Sequence, residues 1–212
     1  MPTNLYSCFL NYNLDTVLKL CDTYEIVKAN RHTPGRAAFD HIMRSGIVFL
    51  ASAFEVYIED VIKECCDRHI KYSRDAKKLP HIIQSTICSC VKNPMELCDE
   101  GWRNSYREIT KLKTDYLNSP KVKNIKELFY SYIGISENKI ANINNINKLD
   151  DFIALRGHIT HRIKTKEYIS ISKLNESIEL IENLVKLIDK TILDFFKETY
   201  PNEKNQWRNT YN

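Results

Sequence analysis

From residue 37 to residue 72 the chain contains no proline and a single glycine, Gly46. Across that stretch Phe39, Met43, Ile47, Leu50, Phe54, Tyr57, Val61 and Cys65 recur every three or four residues, the spacing of one helical face. At 1.5 Å per residue, such a helix is roughly 50 Å long. It can bury its apolar side only if other elements lie along it. No alternation of apolar and polar residues persists elsewhere, so those elements are expected to be helices, and the fold class to be all-α.

The remaining periodicity fits that expectation. Leu14, Val17, Leu18, Cys21 and Tyr24 predict a first helix from about residue 13 to 29, ended by the breaker "RHTPGR". Residues 80–134 read as an inserted region of short helices divided by Pro80, Pro94 and Pro120. A helix from about 147 to 163 and a last one starting near Ser172 form a C-terminal hairpin. The last helix carries Leu174, Ile178, Ile181, Val185, Ile188, Ile192 and Phe195, and Pro201 ends it. The expected organisation is one helical domain over 1–200 and a mobile tail at 201–212.

Composition excludes some classes. The chain has 212 residues, 43% hydrophobic and 27% charged, which rules out general disorder. Its longest apolar run, "GIVFLASAF", is about half of what a membrane span needs, and no basic segment followed by an apolar core opens the sequence. A cytoplasmic protein with no membrane partner is expected. The seven cysteines show no CxxC pair, which predicts reduced, buried thiols and no zinc site. The net charge of +4 permits an acidic partner without requiring one. Residues 101–126 hold seven Lys/Arg against two acidic residues, interleaved with Trp102, Tyr106 and Tyr116. They read as a solvated helical face in preference to an RNA track.

One polar constellation interrupts the hairpin. Within "DDFIALRGHITHRIKTKEY", the segment RGHITH places Arg156, Gly157, His158, Thr160 and His161 on a helix that also carries Phe152, Ile153, Leu155 and Ile159. This "Arg, four residues, His" string before a C-terminal helix, together with the early "IMRSGIVFLASAFEVYIEDVI", resembles the HEPN superfamily. The chain is most similar to its RiboL-PSP-HEPN branch. The likeness covers most of the chain, and the middle matches only in being helical.

The resemblance implies a HEPN-like helical bundle that forms homodimers and cleaves RNA as a metal-independent endoribonuclease, without cofactor. Family members are commonly toxins or anti-phage effectors, sometimes with an antitoxin or companion protein. Others are non-catalytic modules that bind a protein, a nucleotide or RNA. Carried onto this sequence, the catalytic pair is Arg156 and His161. The family position after the arginine is usually polar, and Gly157 departs from it. Either a close approach by a partner helix or RNA, or a loss of function, accounts for a glycine there.

The chemistry suits these residues. Cleavage without a metal needs a proton taken from the ribose 2′-OH, charge stabilised on the phosphorane, and a proton given to the leaving 5′-oxygen. It leaves 2′,3′-cyclic phosphate and 5′-OH ends. Histidine titrates near neutral pH and arginine offers a permanently charged fork of donors. Helix positions five apart differ by about 140° in direction and ~7.5 Å in height. One histidine also serves poorly as base and acid together, so two copies of the helix meeting at a two-fold axis are expected. His158 lines such a cleft or is a surface residue. Thr160 shares the arginine's face. Glu55, in line with Ala51, Ile58 and Ile62, either orients the catalytic pair or reaches solvent at the helix flank. Arg162 and Lys164 are candidates for holding the RNA backbone. Arg44, on the same line, reads as structural or exposed.

Overall fold

The computed structural model describes residues 3–30, 37–117, 119–161 and 168–203. Among these residues all regular structure is helical and no strand occurs. The long early helix is α3 (Ala37–Ser73), the RGHITH helix is α8 (Lys148–His161), and the last is α9 (Ile171–Thr199). Between them run α4 (His81–Cys90), α5 (Gly101–Asp115), α6 (Val122–Leu128) and α7 (Glu137–Ala141), with 3₁₀ turns at Ala76–Lys78 and Pro94–Leu97. Residues 204–212, within the expected tail, lie outside the described residues.

The N-terminal helix starts well before residue 13. It comprises α1 (Asn4–Cys8), a π-helical stretch Phe9–Leu14, and α2 (Asp15–Asn30). Thr3 caps it, accepting from the Tyr6 N–H at 3.1 Å. The Thr3 amide and hydroxyl donate to the buried Asp189 carboxylate of α9, at 3.1 and 2.6 Å. The π turn shifts the helical phase, so the apolar spacing of α2 does not extend back through "FLNYNL".

The spine is buried on most sides. Ile47, Leu50, Phe54, Ile58, Val61, Ile62 and Cys65 of α3 are fully buried, and α2, α5, α8 and α9 pack along it. A second cluster under α4 and α5 gathers Cys66, Ile70, Ile83, Ile87, Trp102 and Tyr106. Gly46 sets the α3–α9 crossing, because a Cβ there would stand 2.7 Å from Leu174 Cδ2. Asp40 fixes the entry to α9. Its carboxylate pairs with Arg44 and accepts the Ile169 N–H at 2.9 Å. Arg44 is therefore a structural arginine.

The expectation of buried thiols is corrected. Only Cys65 and Cys66 are buried, Cys21 is half-buried, and Cys8, Cys88, Cys90 and Cys98 are exposed; all seven are free. Cys88 and Cys90 sit on the final turn of α4, where the helix leaves the core. Among the described residues no group of three or more His, Cys, Asp or Glu side chains is placed to share a metal ion. No helix there is long and apolar enough to cross a membrane.

Candidate active site

Helix α8 is held at its start by the Asp150 carboxylate, which accepts the Val122 N–H at 2.9 Å and so caps α6. Leu149, Phe152 and Ile153 are its buried residues. At 100° per residue, Arg156 falls within that face, between Phe152 and Leu149. It is half-buried, and its Nε is buried with no hydrogen-bond partner among the described residues. His158 and His161 are exposed, on the solvent side of the helix. A single protomer thus turns Arg156 inward and both histidines outward.

Glu55 is the residue of α3 that answers Arg156. It is half-buried, flanked by buried Ala51, Ile58 and Ile62. Burial pushes its carboxyl up from the ordinary glutamate value, and the Arg156 charge pulls it partly back. Among the described residues the two form no ion pair within 4.0 Å. A polar ridge continues along α3 from this point. Glu59 feels both Glu55 and Lys63, and Lys63 pairs with Asp115 of α5 at 3.2 Å.

Two other residues of the motif have plain local roles. The Thr160 hydroxyl donates to the carbonyls of Arg156 and Gly157, each at 3.2 Å, so it is bound to its own helix. Among the described residues a Cβ added to Gly157 would meet nothing within 4 Å, so no close approach there requires a glycine. Arg162 and Lys164 lie outside the described residues.

The nearby groove of about 610 Å³ between α8 and α9 is lined by Phe152, Leu155, Leu180, Lys173 and Glu176. Neither Arg156 nor either histidine lines it. The two histidines therefore sit on an open surface of α8.

Sequence reasoning missed His69, which is fully buried. Its Nε2 lies 2.9 Å from the Ile133 carbonyl and its Nδ1 2.8 Å from the Tyr200 hydroxyl. A carbonyl only accepts, so Nε2 carries the proton. Tyr200 then donates to Nδ1 and accepts from Ser73 at 2.8 Å. Burial pushes this histidine down to about 3, so it is neutral and joins the ends of α3 and α9. The signal was available: Val61, Cys65 and His69 are spaced by four, and the histidine extends the buried stripe one turn further.

The RiboL-PSP-HEPN family model matches residues 15–194. No curated protein and no solved structure matches the chain significantly.

Proposed function

Because the chain belongs to the RiboL-PSP-HEPN family, a branch of the HEPN superfamily, we propose that it is a metal-independent endoribonuclease acting as a homodimer through α8. The observation that supports this best is the state of Arg156. A guanidinium half-buried beside Glu55, its buried Nε without a partner among the described residues, is costly to keep without a use. A phosphate oxygen is a natural partner for its fork of donors.

In this reading His161 takes the proton from the 2′-OH and its counterpart in the second copy protonates the 5′-oxygen. The two Arg156 side chains hold the charge of the phosphorane. The roughly 140° between Arg156 and His161 makes the second copy necessary. The open flank at Gly157, where an added Cβ would meet nothing among the described residues within 4 Å, offers it a sterically free surface. Glu55 positions Arg156, and His158 lines the cleft. Arg162 and Lys164 hold the RNA backbone. A toxin or anti-phage role, in some settings with an antitoxin, follows from the family and not from the site.

The test is incubation with total RNA in EDTA. Wild-type protein should yield fragments with 2′,3′-cyclic phosphate and 5′-OH ends, and His161→Ala should yield none while remaining a folded dimer. Unchanged cleavage by His161→Ala overturns the proposal. The rival reading is a non-catalytic module that binds a protein, a nucleotide or RNA. Gly157 favours it, standing where the family usually places a polar residue. Intact RNA with salt-dependent binding would support that rival.

A further inference from the structure

One cluster of positive charge lies at the end of α3 remote from the motif. Residues 68–78 hold five Lys/Arg against one acidic residue, Asp75. Several cations elsewhere are paired, among them Lys19 with Asp15, Lys63 with Asp115, Arg107 with Asp67, and Lys139 with Glu198. Arg74, Lys77 and Lys78 are all exposed, and none of them forms an ion pair among the described residues. The one acid among them, Asp75, accepts the Lys77 N–H at 2.9 Å and leaves a net charge of +2 over residues 74–78.

The segment that presents these cations is built to hold its shape. Arg74 has φ +52°, an uncommon backbone for a bulky residue. Its carbonyl accepts from the Arg103 guanidinium at 3.0 Å. The Gln84 side-chain amide donates to the carbonyls of Leu79 and Lys77, at 2.8 and 3.3 Å. Side chains from α4 and α5 therefore pin both ends of a turn that carries three exposed cations within five residues. Like charges brought together repel, and strained backbone is often retained where a ligand uses it.

We infer that Arg74, Lys77 and Lys78 form a second phosphate-backbone contact for single-stranded RNA, apart from the α8 site. This rests on the proposal that RNA is the substrate. By helix rise, Glu55 and Arg74 are about 28 Å apart along α3. At 3.4 Å per phosphate of a stacked strand, about eight nucleotides join the two places. Only RNA longer than that engages both.

The experiment uses His161→Ala protein, a labelled 20-nucleotide RNA, a 4-nucleotide RNA, and polyglutamate. In one variant Arg74→Asn, Lys77→Gln and Lys78→Gln are combined; asparagine tolerates the left-handed backbone. A control combines Lys123→Gln, Lys126→Gln and Lys148→Gln, which removes the same charge elsewhere. The first variant should weaken binding of the 20-mer about tenfold or more at moderate salt. It should flatten the slope of log K against log salt by about 2, for three phosphate contacts at ~0.7 each. The 4-mer and the control variant should bind as before. Equal 20-mer binding by both triple variants overturns the second contact and leaves the ribonuclease proposal standing. Equal losses in both, or polyglutamate bound as well as RNA, also overturn it, because net charge alone then suffices. Loss of 20-mer binding in the first variant alone, with no cleavage by the wild type, leaves the contact standing and removes the nuclease.

Discussion

Burial pushes the Glu55 carboxyl up, and Arg156, across the seam between α3 and α8, pulls it partly back. The native state therefore holds the Glu55 proton at pH values where the unfolded chain has released it. This contribution to stability is full below the ordinary glutamate value of 4.5 and declines as pH rises through the folded value. Glu55→Gln should remove that decline. Urea midpoints from pH 4 to 8 read it directly: the variant should gain on the wild type toward pH 7. Parallel profiles would show that Glu55 is solvated.

Arg156 and His161 should separate in stability even if they unite in activity. Arg156→Ala removes a half-buried stem from the α3–α8 contact and leaves Glu55 without its counter-charge, for a cost of about 1–2 kcal/mol. His161 is exposed, and His161→Ala should stay within about 0.5 kcal/mol of wild type. Denaturant unfolding decides it. Equal losses for both would mean that His161 is packed in a way its exposure excludes.

How far the sequence was legible depends on the range of the signal. The spine was readable because Ile47, Phe54, Val61 and Cys65 repeat a local period over many turns. The hairpin was readable from Leu174 to Ile192 for the same reason. The start of the first helix was not, because a π turn at Phe9–Leu14 breaks the phase that the period relies on. The motif was found as a string, and its orientation was half found. Spacing gave the angle between Arg156 and His161, but only the packed structure says that the arginine faces inward. The cysteines misled because composition does not reveal that Cys88, Cys90 and Cys98 lie where α4 and the following turn leave the core. The spacing from Val61 and Cys65 marks His69 as buried, but its role escaped because its partners Ile133 and Tyr200 are far away in sequence.

His69 gives a second pH signature of opposite sense. Its folded value is near 3 and its ordinary value 6.5, so its contribution is full above pH 6.5 and is lost as pH falls toward 3. The slope approaches about 1.4 kcal/mol per pH unit within that window. His69→Phe should abolish this acid sensitivity. It should also cost about 2–4 kcal/mol at pH 7, because the Ile133 carbonyl and the Tyr200 hydroxyl lose a buried partner. Thermal unfolding of both proteins at pH 5 and pH 7.5 measures the two effects together. An unchanged gap between the two pH values would place His69 in contact with water.

Gly157→Ala tests what the glycine is for. A Cβ there meets nothing among the described residues, and alanine exceeds glycine in an interior helical position by up to ~1 kcal/mol. On folding grounds alone the substitution should stabilise the protein. If the glycine makes room for a second α8 at a two-fold axis, the same substitution should weaken the dimer and lower cleavage while the protomer gains stability. Sedimentation across a range of protein concentrations separates these from thermal unfolding of the monomer. A protein that is more stable, equally dimeric and equally active would show that the glycine serves no interface. The second copy would then have to approach α8 from the side of Ala154 and His158, where both side chains face solvent.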